Sequence, residues 1–267
     1  MNKKFDLTGK NILITGAAGL LGKQHAYAVA EMGGNPILID IENTDEIKKS
    51  IIDKFGTDCQ NFTVDITKEN SLNKLSNKLI KNSKSIDVLI NNAAIDSKVE
   101  NNQLNSNSLE NFTLDKWYNE IGVGLTGTFL CSKVFGKEMA KNKNGVIVNI
   151  ASDLALIAPD QRIYNNNGEE KNYKPITYSV IKHGIIGMTK YLSTYWLDKN
   201  IRVNALCPGG VINNQNQEFI SKVTKLIPLG RLANVDEYHS AIQFLCSDAS
   251  SYMTGSCLVM DGGRSVW

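Results

Sequence analysis

Short apolar runs alternate along this chain with amphipathic stretches of helical length. Strands are predicted at Asn11–Thr15, Pro36–Asp40, Asn61–Asp65, Asp87–Asn91, Gly145–Ser152, Ile201–Leu206 and Ser256–Asp261. One helix is predicted from the turn after the first strand to about Met32. Others are predicted over about Ile176–Asp198 and Val235–Ser247. This βαβα alternation predicts an α/β fold with one doubly wound, mainly parallel sheet of about seven strands. Near-continuous apolar strands suit a sheet that helices cover on both faces.

The composition favours one globular domain over residues 1–267. The chain is 42% hydrophobic and 21% charged, and its net charge is +2. A charge this small gives no reason to expect nucleic acid or an anionic membrane as a partner. The first ten residues lack an apolar segment and no apolar run has the length of a bilayer span, so we expect a cytoplasmic protein.

The cysteines and histidines indicate neither disulfides nor a metal site. Five widely spaced cysteines form no CxxC pair and are interpreted as small buried hydrophobic residues: Cys59, Cys131, Cys207, Cys246 and Cys257. The three histidines are isolated in the sequence, and we expect them to be surface residues or hydrogen-bonded structural residues: His25, His183 and His239.

Two long segments interrupt the alternation, near residues 96–113 and 159–175. Both follow strand ends, where ligands bind in open α/β sheets. We therefore expect these loops to frame a substrate pocket. The alternative is that they are solvated insertions without ligand contacts.

A glycine-rich turn directly follows the first strand and opens a helix. Small residues let the backbone approach a pyrophosphate, whose charge the N-terminus of the helix stabilises. The alternative is a turn whose glycines serve packing alone. The candidate cofactor-binding residues here are Gly16, Ala18, Gly19, Leu20, Leu21 and Gly22.

Acidic and small residues at the next strand ends extend this candidate site. Asp40 ends the second strand, where its carboxylate can accept hydrogen bonds from both hydroxyls of an adenosine ribose. It would repel a 2′-phosphate, so the sequence predicts NAD rather than NADP. Asp40 could instead cap the following helix. Further candidate cofactor contacts are Asp65, Ile66, Asn92, Ala93 and Ala94.

The candidate catalytic residues are Ser152, Tyr178 and Lys182. Tyr178 and Lys182 are four residues apart in a predicted helix, so the phenol and the ammonium share one face. An unperturbed tyrosine has a pKa of about 10, and a nearby cation favours its phenolate. Ser152 follows the fifth strand and could orient a substrate oxygen toward Tyr178. YxxxK alone also occurs by chance, and a serine there could be only a turn cap.

Thr15-Gly16, Asn91-Asn-Ala-Ala94, Ser152, Tyr178/Lys182 and Pro208-Gly209 occur in an order that resembles the short-chain dehydrogenase/reductase family over nearly the whole chain. The resemblance implies a Rossmann fold in which Tyr178 is the acid/base and Ser152 binds the substrate oxygen. It implies that Lys182 holds the nicotinamide ribose and lowers the pKa of Tyr178. It also implies cofactor contacts at Pro208, Gly209, Val211 and Asn213.

The resemblance further implies a small-molecule substrate and a homotetramer or homodimer. In such an assembly, helices around Leu114–Lys141 and Ile176–Asp198 pair across one interface and the C-terminal strand pairs across another. Residues 177–183, 208–213 and 261–267 resemble the flagellin modification protein A branch. That branch implies a phosphorylated sugar or a nucleotide sugar, used in flagellin or surface-glycan modification.

Two departures from the family pattern keep other functions open. Gly16, Gly19 and Gly22 have the spacing of the longer sugar-nucleotide branch, which suggests an epimerase or dehydratase that recycles NAD, although the C-terminal portion is short. Gly124 stands where the family has an asparagine that supports a proton relay. Glycine weakens a regular helix there. Because this side chain is missing, the protein could instead be an NAD(H)-binding sensor or a structural subunit without turnover.

Overall fold

The computed structural model describes residues 3–95, 107–165 and 172–267. The strands are β1 (Asn11–Thr15), β2 (Asn35–Asp40), β3 (Gln60–Thr63), β4 (Val88–Asn91), β5 (Gly145–Ile150), β6 (Ile201–Pro208) and β7 (Cys257–Met260). The helices are α1 (Leu20–Glu31), α2 (Asp45–Phe55), α3 (Glu69–Lys81), α4 (Leu114–Ile121), α5 (Thr128–Asn142), α6 (Ile176–Tyr195), α7 (Gln217–Thr224) and α8 (His239–Cys246).

The seven strands form one parallel sheet in the order β3-β2-β1-β4-β5-β6-β7. β1 pairs with β2 on one side and with β4 on the other, so the strand order reverses at β1. Such a reversal opens a crevice at the carboxyl ends of the strands, where ligands bind in this class of sheet. The predicted single-sheet α/β fold is confirmed.

Helices cover both faces of the sheet and bury its apolar side chains. On one face, residues of α1 and α8 pack against strand residues such as Ile14 and Leu206. On the other, residues of α3 and α5 pack against residues such as Leu13 and Ile147. Successive strand side chains point to opposite faces, so a strand between two helical layers must be apolar at nearly every position.

The main differences from the predicted elements are at strand ends and in one helix. β3 ends at Thr63 and β5 at Ile150, so Asp65 and Ser152 lie two residues beyond their strands. α7 was not predicted; it begins after Asn216, whose side chain caps it by accepting a hydrogen bond from the Phe219 amide (2.7 Å). An asparagine before an amphipathic stretch is a helix-start signal.

A π-helical turn, Gly122–Gly127, joins α4 to α5. The carbonyl of Gly124 accepts a hydrogen bond from the Thr128 hydroxyl (2.8 Å). A Cβ on Gly124 would lie 2.8 Å from Cγ2 of Ile181 in α6. Gly124 therefore lets this helix approach the helix that carries Tyr178, and an asparagine could not occupy the position unless Ile181 moved.

The structure corrects one expectation about the histidines. His25 is fully buried in α1, and neither ring nitrogen has a hydrogen-bond partner among the described residues. Burial, together with nearby His239, lowers the pKa of His25 to about 3, so the ring is neutral. The other two bond as expected, His183 to the Ser179 carbonyl and His239 to Gln24 (2.9 Å each).

The cysteines follow the prediction more closely. Cys59, Cys131, Cys207 and Cys246 are buried, whereas Cys257 is only partly buried, and all five thiols are free. Among the residues that the structure describes, no helix is both long enough and apolar enough to cross a membrane.

Candidate active site

The glycine-rich turn forms a close-packed cradle between β1 and α1. Gly16 has φ +65°, and a Cβ there would lie 2.7 Å from the Ala93 Cα. A Cβ on Gly22 would overlap the Gly16 carbonyl oxygen and lie 2.8 Å from its carbonyl carbon. α1 begins after Gly19 without a side-chain cap. Its first N–H groups are thus available to an anion, and the cradle fits a dinucleotide pyrophosphate.

Hydrogen bonds lock the ends of β1 and β4 together at this edge. The Thr15 hydroxyl accepts hydrogen bonds from the amides of Asn92 and Ala93 (2.9 Å each). The Asn92 side chain donates to the carbonyls of Thr15 and Gly16 (3.0 and 3.1 Å). The segment Asn92–Ala94 is thereby held beside the glycine turn.

Asp40 is oriented toward the same turn from the end of β2. Its carboxylate accepts hydrogen bonds from the Ala18 amide (2.9 Å) and the Glu42 amide (3.0 Å). Because α2 begins only at Asp45, Asp40 does not act as its N-cap. The Asp40 carboxylate therefore lies beside the glycine-rich turn, where it could accept hydrogen bonds from the hydroxyls of an adenosine ribose.

A cavity of about 960 Å³ runs along the carboxyl ends of the strands. Gly22 does not line it, because this residue is buried in the first turn of α1. Asp65 lies at the far end, where hydrogen bonds from Thr67 lower the pKa of its carboxyl. The predicted residues that line the cavity are Gly16, Ala18, Gly19, Leu20, Leu21, Asp40, Asp65, Ile66, Asn92, Ala93, Ala94, Ser152, Tyr178, Lys182, Pro208, Gly209, Val211 and Asn213.

Ser152, Tyr178 and Lys182 meet on the cavity wall. The Tyr178 hydroxyl donates a hydrogen bond to Oγ of Ser152 (3.2 Å). The Lys182 ammonium is buried and donates to the Ile150 carbonyl (2.9 Å). The end of β5 thus anchors Lys182, the turn after β5 carries Ser152, and α6 carries Tyr178. Ser152 also caps the turn after β5 by accepting from the Leu154 amide (3.2 Å). The capping alternative is therefore confirmed, and the same hydroxyl is the one that Tyr178 contacts.

Sequence reasoning missed two side chains beside Tyr178. Nζ of Lys174 lies 3.9 Å from the centroid of the Tyr178 ring, a cation–π distance. Tyr164 lines the cavity, and its ring packs in a tilted arrangement against Phe219 of α7, with the ring centroids 5.8 Å apart. Burial raises the pKa of the Tyr164 hydroxyl. The sequence signal for both residues was their place in the loop near 159–175, which was predicted to frame the pocket.

A buried ion pair next to Ser152 was also missed. Asp153 and Arg264 both line the cavity, and Nη1 of Arg264 lies 3.2 Å from Oδ2 of Asp153. Their side chains are only 4% and 7% exposed. Arg264 reaches this point because Gly262 and Gly263 adopt positive φ angles and Asp261 accepts hydrogen bonds from two turn amides. The Asp-Gly-Gly-Arg sequence signals a turn but does not reveal its partner.

The segment after β6 is held against the C-terminal turn. A Cβ on Gly209 would lie 2.8 Å from the Asp261 Cα. Val211 forms a parallel bridge with Ala233 and lies on the cavity wall. Asn213 is exposed at the rim, and its amide donates to Gln215 (2.7 Å). This is the segment in which cofactor contacts were predicted.

The two long loops are described in part. Of the first, residues 107–113 are described, and a short 3-10 turn, Leu109–Asn111, precedes α4. Of the second, 159–165 and 172–175 are described, and they contribute Tyr164 and Lys174 to the cavity. The predicted framing of the pocket by residues 96–106 and 166–171 lies outside the described residues.

Comparisons with known proteins agree with this geometry. A family model described as enoyl-(acyl carrier protein) reductase matches residues 16–265. The NAD-dependent glycerol dehydrogenase of Listeria innocua is 30% identical, over 99% of this chain and 97% of its own.

Two solved structures superpose closely. A Leptospira borgpetersenii short-chain dehydrogenase with bound NAD+ has a TM-score of 0.86 at 30% identity, covering 99% of this chain and 96% of that one. A gluconate 5-dehydrogenase from Burkholderia cenocepacia, in complex with NADP and tartrate, has a TM-score of 0.86 at 25% identity, covering 99% and 98%. The chain belongs to the short-chain dehydrogenase/reductase family.

Proposed function

We propose that this protein is an NAD(H)-dependent alcohol/ketone oxidoreductase that acts on a small polyhydroxylated metabolite. The observation that carries the proposal is the contact between the Tyr178 hydroxyl and Ser152, with Lys182 buried beside them on the wall of a dinucleotide-sized cavity. These residues provide a proton acceptor, a group that binds the substrate oxygen and a cation that favours the phenolate.

In alcohol oxidation, Ser152 holds the substrate hydroxyl and the Tyr178 phenolate takes its proton. The carbinol hydrogen leaves as hydride, and the carbon–oxygen bond becomes a carbonyl. Bound NAD supplies the hydride acceptor. Lys182, fixed by the Ile150 carbonyl, keeps positive charge next to the phenolate and is placed to hold the nicotinamide ribose. Ketone reduction runs the same steps in reverse, with Tyr178 returning the proton.

Asp40 supports NAD over NADP. Two backbone amides fix its carboxylate at the end of β2, so it cannot turn away from a 2′-phosphate without losing both hydrogen bonds. The next residues, Ile41 and Glu42, offer no cation to neutralise such a phosphate. Charge repulsion at this position therefore disfavours NADP.

The substrate class follows from the polar groups at the catalytic end of the cavity. Tyr164, Lys174 and Arg264 line it there, together with Asp153, and such groups suit a substrate with several hydroxyls or an anionic group. Similar proteins are named for glycerol and gluconate. Within this class we favour a sugar phosphate or nucleotide sugar, and a role in flagellin or surface-glycan modification, because three segments resemble that branch.

NADH formation from NAD+ provides the test, with polyols, sugar acids, hexose phosphates and nucleotide sugars as substrates. We expect at least one compound to be oxidised. Tyr178→Phe should lower kcat by about 10²- to 10⁴-fold while NADH still binds. Tyr173→Phe, in the loop just before α6 and not on the cavity wall, is the matched control. NADH binding without turnover of any compound would instead favour a sensor or structural subunit.

We also propose a homotetramer or homodimer. Large apolar side chains are exposed on the helices that the family resemblance assigns to an interface: Tyr118 (66%) on α4, Phe129 (49%) on α5, and Tyr191 (64%) and Tyr195 (62%) on α6. Contiguous exposed apolar surface typically marks an interaction site. The five free thiols suit a reducing compartment, which supports a cytoplasmic location.

A further inference from the structure

The strongest feature that the mechanism above does not use is a chain of hydrogen bonds ending on a buried charge. The Tyr178 hydroxyl donates to Ser152 (3.2 Å), and the Ser152 hydroxyl donates to Oδ1 of Asp153 (2.7 Å). Oδ2 of Asp153 accepts from Arg264 (3.2 Å). The Leu154 amide also donates to Oδ1 (2.8 Å). Every hydrogen of the chain points toward the carboxylate.

We propose that Asp153 and Arg264 are positioning residues for the reaction: Asp153 holds Oγ of Ser152 beside the Tyr178 hydroxyl, and Arg264 balances the charge that Asp153 places near Tyr178. The inference rests on the proposed function. Oγ of Ser152 donates to Asp153 and accepts from the Leu154 amide and the Tyr178 hydroxyl. These bonds hold Oγ beside Tyr178, where a bound substrate oxygen can replace one of its partners.

The negative charge of Asp153 opposes the deprotonation of Tyr178. A carboxylate two hydrogen bonds from the Tyr178 oxygen stabilises the protonated phenol and repels the phenolate. Arg264 offsets this repulsion because it pairs with the same carboxylate inside the protein, where screening by water is weak. Without the guanidinium, alcohol oxidation would need a higher pH.

Other charged and titratable groups near Tyr178 must be considered. They are Lys182 on α6, Lys174 before α6, Tyr164 on the 3-10 turn after β5, and Glu120 on α4, which accepts a hydrogen bond from Thr177. Neutral variants of the Asp153–Arg264 pair leave all four unchanged. Any opposite movement of the pH–rate profile in the two single variants therefore reports on the pair itself.

The test is the pH dependence of kcat/KM for NAD+-dependent oxidation of the best alcohol from the substrate series. Arg264→Gln should move the acidic limb up by about half a pH unit, and Asp153→Asn should move it down by about half a unit or more. The double variant should lie within about 0.3 units of the wild type, because the charges are removed together. The control is Arg231→Gln, which breaks the exposed ion pair with Glu237 and should leave the acidic limb at the wild-type pH.

Folding is checked by circular dichroism and NADH binding, because Arg264→Gln leaves a buried carboxylate without its cation. If that variant does not fold, Asp153→Asn and the double variant decide. Single variants that leave the limb in place, or move it in the same direction, would overturn the inference and leave the proposed function standing. A wild type that oxidises none of the alcohols would overturn both.

Discussion

Gly22→Ala is expected to destabilise the protein and to weaken cofactor binding, although alanine is the better helix former. The new Cβ would overlap the Gly16 carbonyl oxygen and lie 2.8 Å from its carbonyl carbon and 2.9 Å from the Ala17 Cα. These are backbone atoms, so no rotamer change relieves the overlap. α1 must move away from the turn instead.

The expected size follows from two opposing terms. Alanine gains about 1 kcal/mol in helix propensity over glycine, and forcing a methyl group into packed structure costs about 1–3 kcal/mol or more. Because the obstacles are backbone, we expect a net loss of about 1–2 kcal/mol. In a domain of this size that lowers Tm by roughly 2–4 °C. Displacing the N–H groups of α1 should also weaken NADH binding at least tenfold, or about 1.4 kcal/mol.

Thermal melts followed by circular dichroism and NADH titrations followed by fluorescence measure the two effects. Asn73→Ala, at an exposed position on α3, is the control; it also adds a helix-favouring alanine and should leave Tm and NADH affinity within error or slightly raise Tm. Wild-type Tm and NADH affinity in Gly22→Ala would refute the argument that the approach of α1 to Gly16 shapes the cradle.

Two further predictions concern cofactor choice and assembly. Asp40→Asn keeps the shape of the side chain but removes its charge, so the ratio of kcat/KM for NAD+ to kcat/KM for NADP+ should fall at least tenfold. The control Asp58→Asn should leave this ratio unchanged. An unchanged ratio in Asp40→Asn would contradict the role assigned to Asp40. The double variant Tyr191→Ser/Tyr195→Ser should lower the molar mass of the assembly measured by light scattering, whereas Ile80→Ser on α3 should not. If the double variant has the same mass as the wild type, α6 does not form the interface.

Sequence patterns were sufficient for the sheet and for many, but not all, of the residues that line the cavity. Apolar runs between two helical layers are nearly unbroken, so each strand was recognisable. Chemistry concentrates at strand ends, where Asp40, Asn92 and Ser152 follow local signals. Where prediction erred by two residues, at the ends of β3 and β5, the apolar residues Val64 and Ala151 continue the pattern past the strand end, so the sequence marks no boundary.

Pairings between distant residues could not be predicted in the same way. Asp153 and Arg264 are 111 residues apart, and neither has a neighbouring motif that names the other. Lys174 was visible only as one basic residue in a loop. The unpaired state of His25 depends on what surrounds α1 in three dimensions, which a single sequence does not specify.

The distance along the chain between Asp153 and Arg264 also bears on how the protein acquires activity. β1, β2 and β4, which build the cofactor cradle, all precede Asp153, whereas the turn carrying Arg264 follows β7. Domains generally fold as units, and contacts between residues far apart in sequence are slow to form. The Asp153–Arg264 pair cannot form until β7 and the turn after it have been synthesised, so the competence to react would arrive with the last strand.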